Sequence, residues 1–261
     1  MLRDFRIEAV GEPPRHELQK RRLAEAIDRA GARPGPPFAC PYLDGREARH
    51  LALRLEPLQP GLYHALMDLN FRRLGEVFYR PQCDGCDECR MIRLPVAEFR
   101  PNRAQRRCSR RNADLDVRID VPRMSDEKQD LYRRYLRARH DGQMDGSPAE
   151  LHGFLYSSPV DTLEVSYFRE GELVAVGIAD AEPGALSAVY CYFDPTLSSR
   201  SLGVFNVLTL LEQSRRRGLP YLYLGYYVRG CDTMDYKANY RPCEILEPGR
   251  GFVRHAAAPS V

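Results

Sequence analysis

TLEVSYFR (162–169), ELVAVGIAD (172–180), LSAVYCYF (186–193), LGVFNVLTLLEQSRRR (202–217) and PYLYLGYY (220–227) follow one another with little between them. The first three segments alternate or run apolar with β-branched and aromatic residues, as strands do. Glu170-Gly171 is a tight turn between the first two, and AEPGA (181–185) turns the chain into the third. DPTLSSRS (194–201) leads into the fourth segment, which has helical spacing and a stop at Gly218. The last segment reads as a strand again. The order is β-β-β-α-β. A three-stranded meander is followed by a crossover helix, and the final strand is expected to run parallel to the third.

That order matches the central part of the acyl-CoA N-acyltransferase (GNAT) fold. Acetyltransferases of that fold hold the CoA pyrophosphate on backbone N–H groups of a Q/R-x-x-G-x-G/A turn at the helix start. Here the turn is Arg200-Ser201-Leu202-Gly203-Val204-Phe205. Arg200 and Gly203 fit. Phe205 stands where Gly or Ala is expected and would crowd a pyrophosphate. This counts against CoA and leaves the architecture available for another acyl donor. The plainer alternative is any small mixed sheet with one crossover.

Outward from this core the chain divides. Its 261 residues suit one or two domains, and 43% hydrophobic residues are enough for a core. No run approaches the ~18 apolar residues of a membrane helix. The start, MLRDFRIEAVGEPP, has no apolar h-region, so a cytoplasmic location is expected. His16 to Ala30 reads as a helix, and ARPGPPF separates it from the rest. Residues 1–37 are therefore expected as a helical extension, 38–100 as a Cys-rich N-terminal domain, and 101–261 as a GNAT-like catalytic domain. The fold class is α+β.

Eight cysteines in a cytosolic chain are unlike a disulfide framework. Cys83, Cys86 and Cys89 form C-x2-C-x2-C in a loop after the strand EVFYRP. A closed structural metal site wants four ligands, and Cys40, in its own turn, is the natural fourth. Zinc and an iron–sulfur cluster both accept four thiolates. Free cytosolic thiols are the alternative.

The 39 basic residues are nearly all arginine. Arg103, Arg106, Arg107, Arg110 and Arg111 share one face if residues 100–111 are helical. Such a face suits nucleic-acid phosphates. The alternative is a solvated face paired locally with Asp114 and Asp116. The segment 221–242 holds six tyrosines with Lys237, Arg229 and Arg241. It suits a binding cleft at a strand end, or else a tyrosine packing layer.

Taken together these segments are similar to a known family. FYRPQCDGCDECRMIRLPVAEFRPNRAQRR (78–107) resembles the N-terminal signature of bacterial aspartate/glutamate leucyltransferases, relatives of the arginyl-tRNA–protein transferases. SAVYCYFDPTLSSRSLGVFNVL and GLPYLYLGYYV resemble their catalytic domain, and MDYKANYRPCEIL their terminal M-x-Y-K-x-x-[FY]-R-P motif. The likeness runs from about Cys40 to Leu246. It implies transfer of leucine, or arginine, from aminoacyl-tRNA to the α-amine of proteins beginning with Asp or Glu, which marks them for N-degron degradation. No cofactor is required for such chemistry. Membrane and DNA are not expected partners.

The departures are the short loop after His140, the first ~37 residues and a tail without the usual closing Trp. Rival readings are a CoA-dependent N-acetyltransferase and a non-catalytic nucleic-acid or metal-binding module. Activated ester donors make amide formation downhill, so positioning and oxyanion stabilisation carry the rate. Arg80, Lys237 and Arg241, with Tyr226, are the candidates for the acceptor carboxylate. Asp235 is a candidate proton acceptor, and Tyr192 and Tyr236 are candidate proton donors. Arg103, Arg106, Arg107, Arg110 and Arg200 are candidates for tRNA.

Overall fold

The computed structural model describes residues 14–55, 58–139 and 146–255. The first thirteen residues, the tail after His255 and most of the loop after Arg139, where a departure from the family is expected, lie outside the described residues.

In chain order the elements are helix α1 (Pro14–Arg29), the short hairpin of β1 (Phe38–Ala39) and β2 (Glu47–Ala48), β3 (His50–Leu53), α2 (Leu62–Asp68), β4 (Arg72–Leu74), β5 (Val77–Pro81) and β6 (Arg90–Pro95). Then come α3 (Arg103–Arg111), β7 (Asp116–Asp120), α4 (Asp126–Arg139), α5 (Pro148–Leu151), β8 (Thr162–Arg169), β9 (Glu172–Glu182) and β10 (Ala185–Phe193). The chain closes with α6 (Leu202–Arg216), β11 (Tyr221–Tyr227), α7 (Asp232–Asp235), β12 (Glu244–Glu247) and β13 (Gly251–Arg254).

Eight strands form one mixed sheet in the order β13-β12-β6-β11-β10-β9-β8-β7. β8, β9 and β10 are the expected antiparallel meander, and β11 runs parallel to β10. The parallel pair follows from α6, because a chain that crosses a sheet face on a helix re-enters in the same direction. α6 lays Leu202, Val207, Leu210 and Leu211 on the sheet. Its buried Asn206 accepts a hydrogen bond from the Tyr167 hydroxyl at 2.9 Å. A Cβ on Gly177 would fall 2.0 Å from Asn206 Oδ1, so a residue without one lets helix and sheet meet there.

β6 lies in the middle of this sheet, between β12 and β11. The boundary expected at residue 100 therefore falls after a strand that already belongs to the large sheet. A smaller sheet, β3-β5-β4, packs with α1 and α2 over a second core that includes Leu51, Tyr63, Leu66, Phe78, Tyr223 and Tyr226. Leu23 and Ile27 of α1 are buried in that same core, so the helix expected as an extension is docked. α4 and residues 148–156 cover a third core against β9 and β10.

Candidate functional site

β10 and β11 pair only from Ala185–Ser187 to Tyr221–Tyr223. Beyond that register they part. A bulge helps: Ala188 faces Ala179 and Tyr190 faces Ile178, which leaves Val189 as the extra residue. Two cations, the half-buried Arg72 and the buried Lys237, meet at the gap between the two strand ends.

Arg72 enters the gap from β4. Its Nη2 donates to the carbonyls of Ala188 and Val189, both at 3.3 Å. Gly225, at φ 78°, makes room, because a Cβ there would lie 2.5 Å from Arg72 Cζ. The neighbouring Arg73 points to the opposite face, as strand alternation requires. There it forms a two-pronged pair with Asp180 at 3.0 and 2.7 Å.

Lys237 reaches the gap from the segment after α7. It is buried, donates to the Tyr226 carbonyl at 2.7 Å and touches the Met234 sulfur at 3.4 Å. Burial, and then the charge of Arg72, pull its amine down to about 7. Tyr236 is 45% exposed and stands within electrostatic reach of Arg72 and Cys191. Asp235 is half-buried at the end of α7.

Other expected residues stand elsewhere. Tyr192 is 0% exposed and its hydroxyl meets that of Tyr156 at 3.1 Å beneath α4, so it shows no atom to a substrate. Tyr226 is also 0% exposed. Its hydroxyl donates within reach of the carbonyls of Asn70 (3.0 Å) and Tyr79 (3.2 Å), which makes it a strut between β11 and the small sheet. Arg80 donates to the Leu69 carbonyl and lies over the Phe71 ring at 4.9 Å. Arg241 lines a different cleft. No described contact joins Arg80, Lys237 and Arg241 around one point.

That second cleft, about 590 Å³, is lined by Gln105, Arg107 and Arg111 of α3, by Ser201 and Val204 at the start of α6, and by Tyr236, Tyr240 and Arg241. α3 begins with a capping box, in which Asn102 and Gln105 satisfy each other's backbone N–H, and it buries Gln105 and Cys108. Arg103, Arg106, Arg107, Arg110 and Arg111 are all exposed. The acids expected to neutralise them are engaged: Asp114 with Arg200 and Arg169, Asp116 with Arg118. Arg200 is thus held by a bidentate carboxylate at 2.8 and 2.9 Å, unlike the arginines of α3. The Tyr240 hydroxyl, in a residue 2% exposed, has no hydrogen-bond partner among the described residues. Phe205 packs its ring on Tyr167.

The cysteine loop is tied to the gap through Asn70. This residue adopts φ 69°, a conformation Asn tolerates. Its side chain donates to the Cys89 carbonyl and accepts from the Met91 N–H, both at 2.8 Å, while its own carbonyl takes the Tyr226 hydroxyl. The Arg49 N–H donates to Cys83 Sγ at 3.4 Å. Burial, and then the sulfurs of Cys40, Cys83 and Cys86, push the Cys89 thiol up to about 12. Cys89 feels the charge of the other three sulfurs, but the described residues do not bring these thiols as close to one another as a shared ion requires.

The ligand-type group whose donor atoms do lie within 4.8 Å of one another among the described residues is a different one, His16, His64 and Asp68. Sequence reading passed over Arg72, Asn70 and this group. The only signal for Arg72 was a pair of arginines in a short strand, FRRLG.

Comparison with known proteins gives the family. Residues 38–107 match the model of the arginine-tRNA–protein transferase N terminus, and residues 127–247 match that of its C terminus. An aspartate/glutamate leucyltransferase of Chromobacterium violaceum is 43% identical over 82% of this chain and 90% of its own. One of Alcanivorax borkumensis is 44% identical over 82% of this chain and 90% of its own. Among solved structures, FemX superposes with a TM-score of 0.44 at 11% identity, over 83% of this chain and 70% of its own, too weakly for any argument. The acetyltransferase and non-catalytic readings give way: the chain is an aminoacyltransferase that belongs to the arginine-tRNA–protein transferase family.

Proposed function

We propose that this enzyme moves leucine from leucyl-tRNA to the α-amine of proteins beginning with Asp or Glu, in the cytoplasm and without DNA as a partner. The observation that carries the reading is the gap between β10 and β11, where two cations, Arg72 and Lys237, stand beside each other without a described acid within ion-pair distance. An acceptor with an acidic side chain complements that charge. The relatives named above carry the same specificity in their names. The β-β-β-α-β order with its parted parallel strands supports the GNAT-like reading of the core.

The donor lies along α3, with phosphates on Arg103, Arg106, Arg107 and Arg110 and its end in the cleft of Arg107, Arg111 and Arg241. A phosphate there would meet the N-terminal end of α6 as well. The acceptor amine enters the gap. Its nitrogen attacks the ester carbonyl, the C–N bond forms, and the carbonyl oxygen takes up negative charge. The C–O bond then breaks, and the ribose hydroxyl leaves with a proton. Lys237, whose proton affinity lies near neutrality, is the group at the gap able to stabilise the oxyanion or exchange that proton. Tyr236 and Asp235, on the same segment, are the remaining candidates. Cys40, Cys83, Cys86 and Cys89 would hold a structural zinc ion or iron–sulfur cluster only by drawing closer together, and it would then cross-link the loops around Asn70 rather than enter the reaction.

The test is transfer from radiolabelled leucyl-tRNA and arginyl-tRNA to peptides beginning Asp, Glu or Ala. Leucyl transfer to Asp and Glu peptides is expected. Equal transfer to the Ala peptide would overturn the acceptor assignment.

A further inference from the structure

A guanidinium carries five N–H donors. In Arg72 only Nη2 is engaged, with the carbonyls of Ala188 and Val189. Its Nε and Nη1 make no described hydrogen bond, are not sealed from solvent, and lie over Gly225, 2.9 and 2.6 Å from where a Cβ there would stand. No described carboxylate comes within 4.0 Å of it. Its surroundings are rings: Tyr226 at 5.8 Å from the guanidinium carbon, with Tyr42, Tyr63 and Tyr79 within electrostatic reach. Arg73, one residue on, shows what the same side chain does when its role is only structural. It takes Asp180 on two prongs and gives its last donor to carbonyls.

We infer that Arg72 is the specificity-determining residue for the acceptor: its Nη1, without a described partner, receives the side-chain carboxylate of an N-terminal Asp or Glu and thereby holds the α-amine in the gap between β10 and β11. The inference rests on the functional reading above and names the residue that enforces it. With Nη2 taken by two carbonyls, neither two-pronged face of the guanidinium is free, so the carboxylate is held by one charge-assisted hydrogen bond, which still discriminates against the uncharged amide. A polynucleotide phosphate is the other anion in the reaction. The gap lies between two strand ends and is walled by tyrosine rings, so it suits one side chain, whereas α3 already offers phosphates an open row of arginines. The nearby amine adds to the case. An anion on Arg72 relieves the repulsion that helps pull Lys237 down, so acceptor binding should return a proton to Lys237 near pH 7.

The experiment compares kcat/KM with leucyl-tRNA for peptides that begin Asp or Asn, in the unaltered enzyme, Arg72→Gln and Arg72→Lys. Arg72→Gln should lose roughly 10- to 100-fold with the Asp peptide and little with the Asn peptide, so that the Asp-to-Asn ratio falls toward one. Arg72→Lys, which keeps a charged donor, should recover part of the ratio. Affinity for leucyl-tRNA should not change. An equal fall with both peptides would make Arg72 a strut and overturn the inference, as would a fall in leucyl-tRNA affinity with the ratio intact. If the variants do not fold, calorimetry on the unaltered enzyme at pH 7, in two buffers of different ionisation enthalpy, decides. Proton uptake should be larger for the Asp peptide than for the Asn peptide, since the α-amine is common to both, and equal uptake would overturn the inference. Transfer to neither peptide from either aminoacyl-tRNA would overturn the functional reading and this inference with it.

Discussion

Two polar clusters lie three residues apart along β11 and share one core, yet they are built on opposite plans. Around Tyr223 every charge has an answer. Its hydroxyl donates to Asp68 Oδ1, so it can only accept from Arg93 Nη1 (3.2 Å) and His64 Nε2 (3.1 Å). Asp68 also takes His16 Nε2 at 3.0 Å, and Arg93 has Glu244 at 2.9 Å and the Tyr221 and Phe252 rings on its faces. Around Tyr226 the cations Arg72 and Lys237 have only carbonyls, a sulfur and rings. A buried charge without a partner costs stability, and groups perturbed in this way cluster at functional sites. The closed cluster docks α1 onto the fold; the open one faces the gap.

The largest expected effect lies in the closed cluster. Asp68→Ala strips His16, Tyr223 and Arg93 of a common acceptor in a site where Asp68 is 7% exposed. Breaking a buried charge pair from one side costs about 3–5 kcal/mol. Urea unfolding should show a loss of that size, and limited proteolysis should show α1 released. A loss under about 1 kcal/mol would mean that the apolar contacts of Leu23 and Ile27 hold α1 without the network.

A subtler test uses pH. Burial, opposed by Asp68, lowers His64 to about 4 from 6.5, so the unfolded chain holds more protons in that window and acidification destabilises. Burial raises Glu182 to about 7 from 4.5, against the N–H groups of His64 and Gly61, so the folded chain holds more protons there and acidification stabilises. Between pH 4.5 and 6.5 the two slopes oppose, each approaching about 1.4 kcal/mol for every pH unit. Stability of the unaltered protein should therefore vary less with pH there than either site alone would dictate, with His50 and His255, also lowered by burial, adding to the His64 side. His64→Phe should become more stable toward acid and Glu182→Gln less stable. Asp68, buried but held below the ordinary carboxylate range by His16 and Arg93, contributes stability that is lost only as pH falls below about 4. Parallel pH curves for all three proteins would reject this account.

In the open cluster the sign is reversed between stability and activity. Lys237 titrates near 7 in the fold and at 10.5 when free, so folding gains stability as pH rises through that window. Lys237→Met should remove that slope and raise Tm at pH 7. Transfer should fall by roughly 10- to 100-fold in kcat/KM, the worth of one charged hydrogen bond. A Met variant with full activity would take Lys237 out of the reaction.

The contrast between the clusters was hidden in the sequence, for a physical reason. Long periodic segments such as α4, α6 and the four strands from Thr162 to Tyr227 announced themselves, because side-chain period follows backbone geometry. β12 and β13 did not: four residues after a proline carry too little period, and they are strands because β6 offers an edge. The apolar stripe of α1 was legible, but the partner of His16 stands 52 residues away. Lys237 was named from its motif and stands at the gap, whereas Arg80 and Arg241 share its charge and not its place. Arg72 was missed because only the third dimension shows that its neighbour has an acid and it has none.

The smallest expected effect repeats the comparison on the surface. Arg103, Arg107 and Arg110 are exposed and form no ion pair with a described residue, while Arg200, grouped with them on sequence grounds, is clamped by Asp114. A phosphate contact releases a counterion, so each one lost lowers the slope of log affinity against log salt by about 1. Arg103→Ala, Arg107→Ala and Arg110→Ala should each do so, with a loss of a few-fold in leucyl-tRNA affinity at physiological salt and little change in kcat at saturation. Arg200→Ala should leave the slope nearly where it was, because a guanidinium already paired has no counterion to release. Filter binding over a salt series measures both quantities. Slopes that do not move in the α3 variants would make this face merely solvated, and a slope that moves most in Arg200→Ala would place the tRNA backbone across the start of α6 rather than along α3.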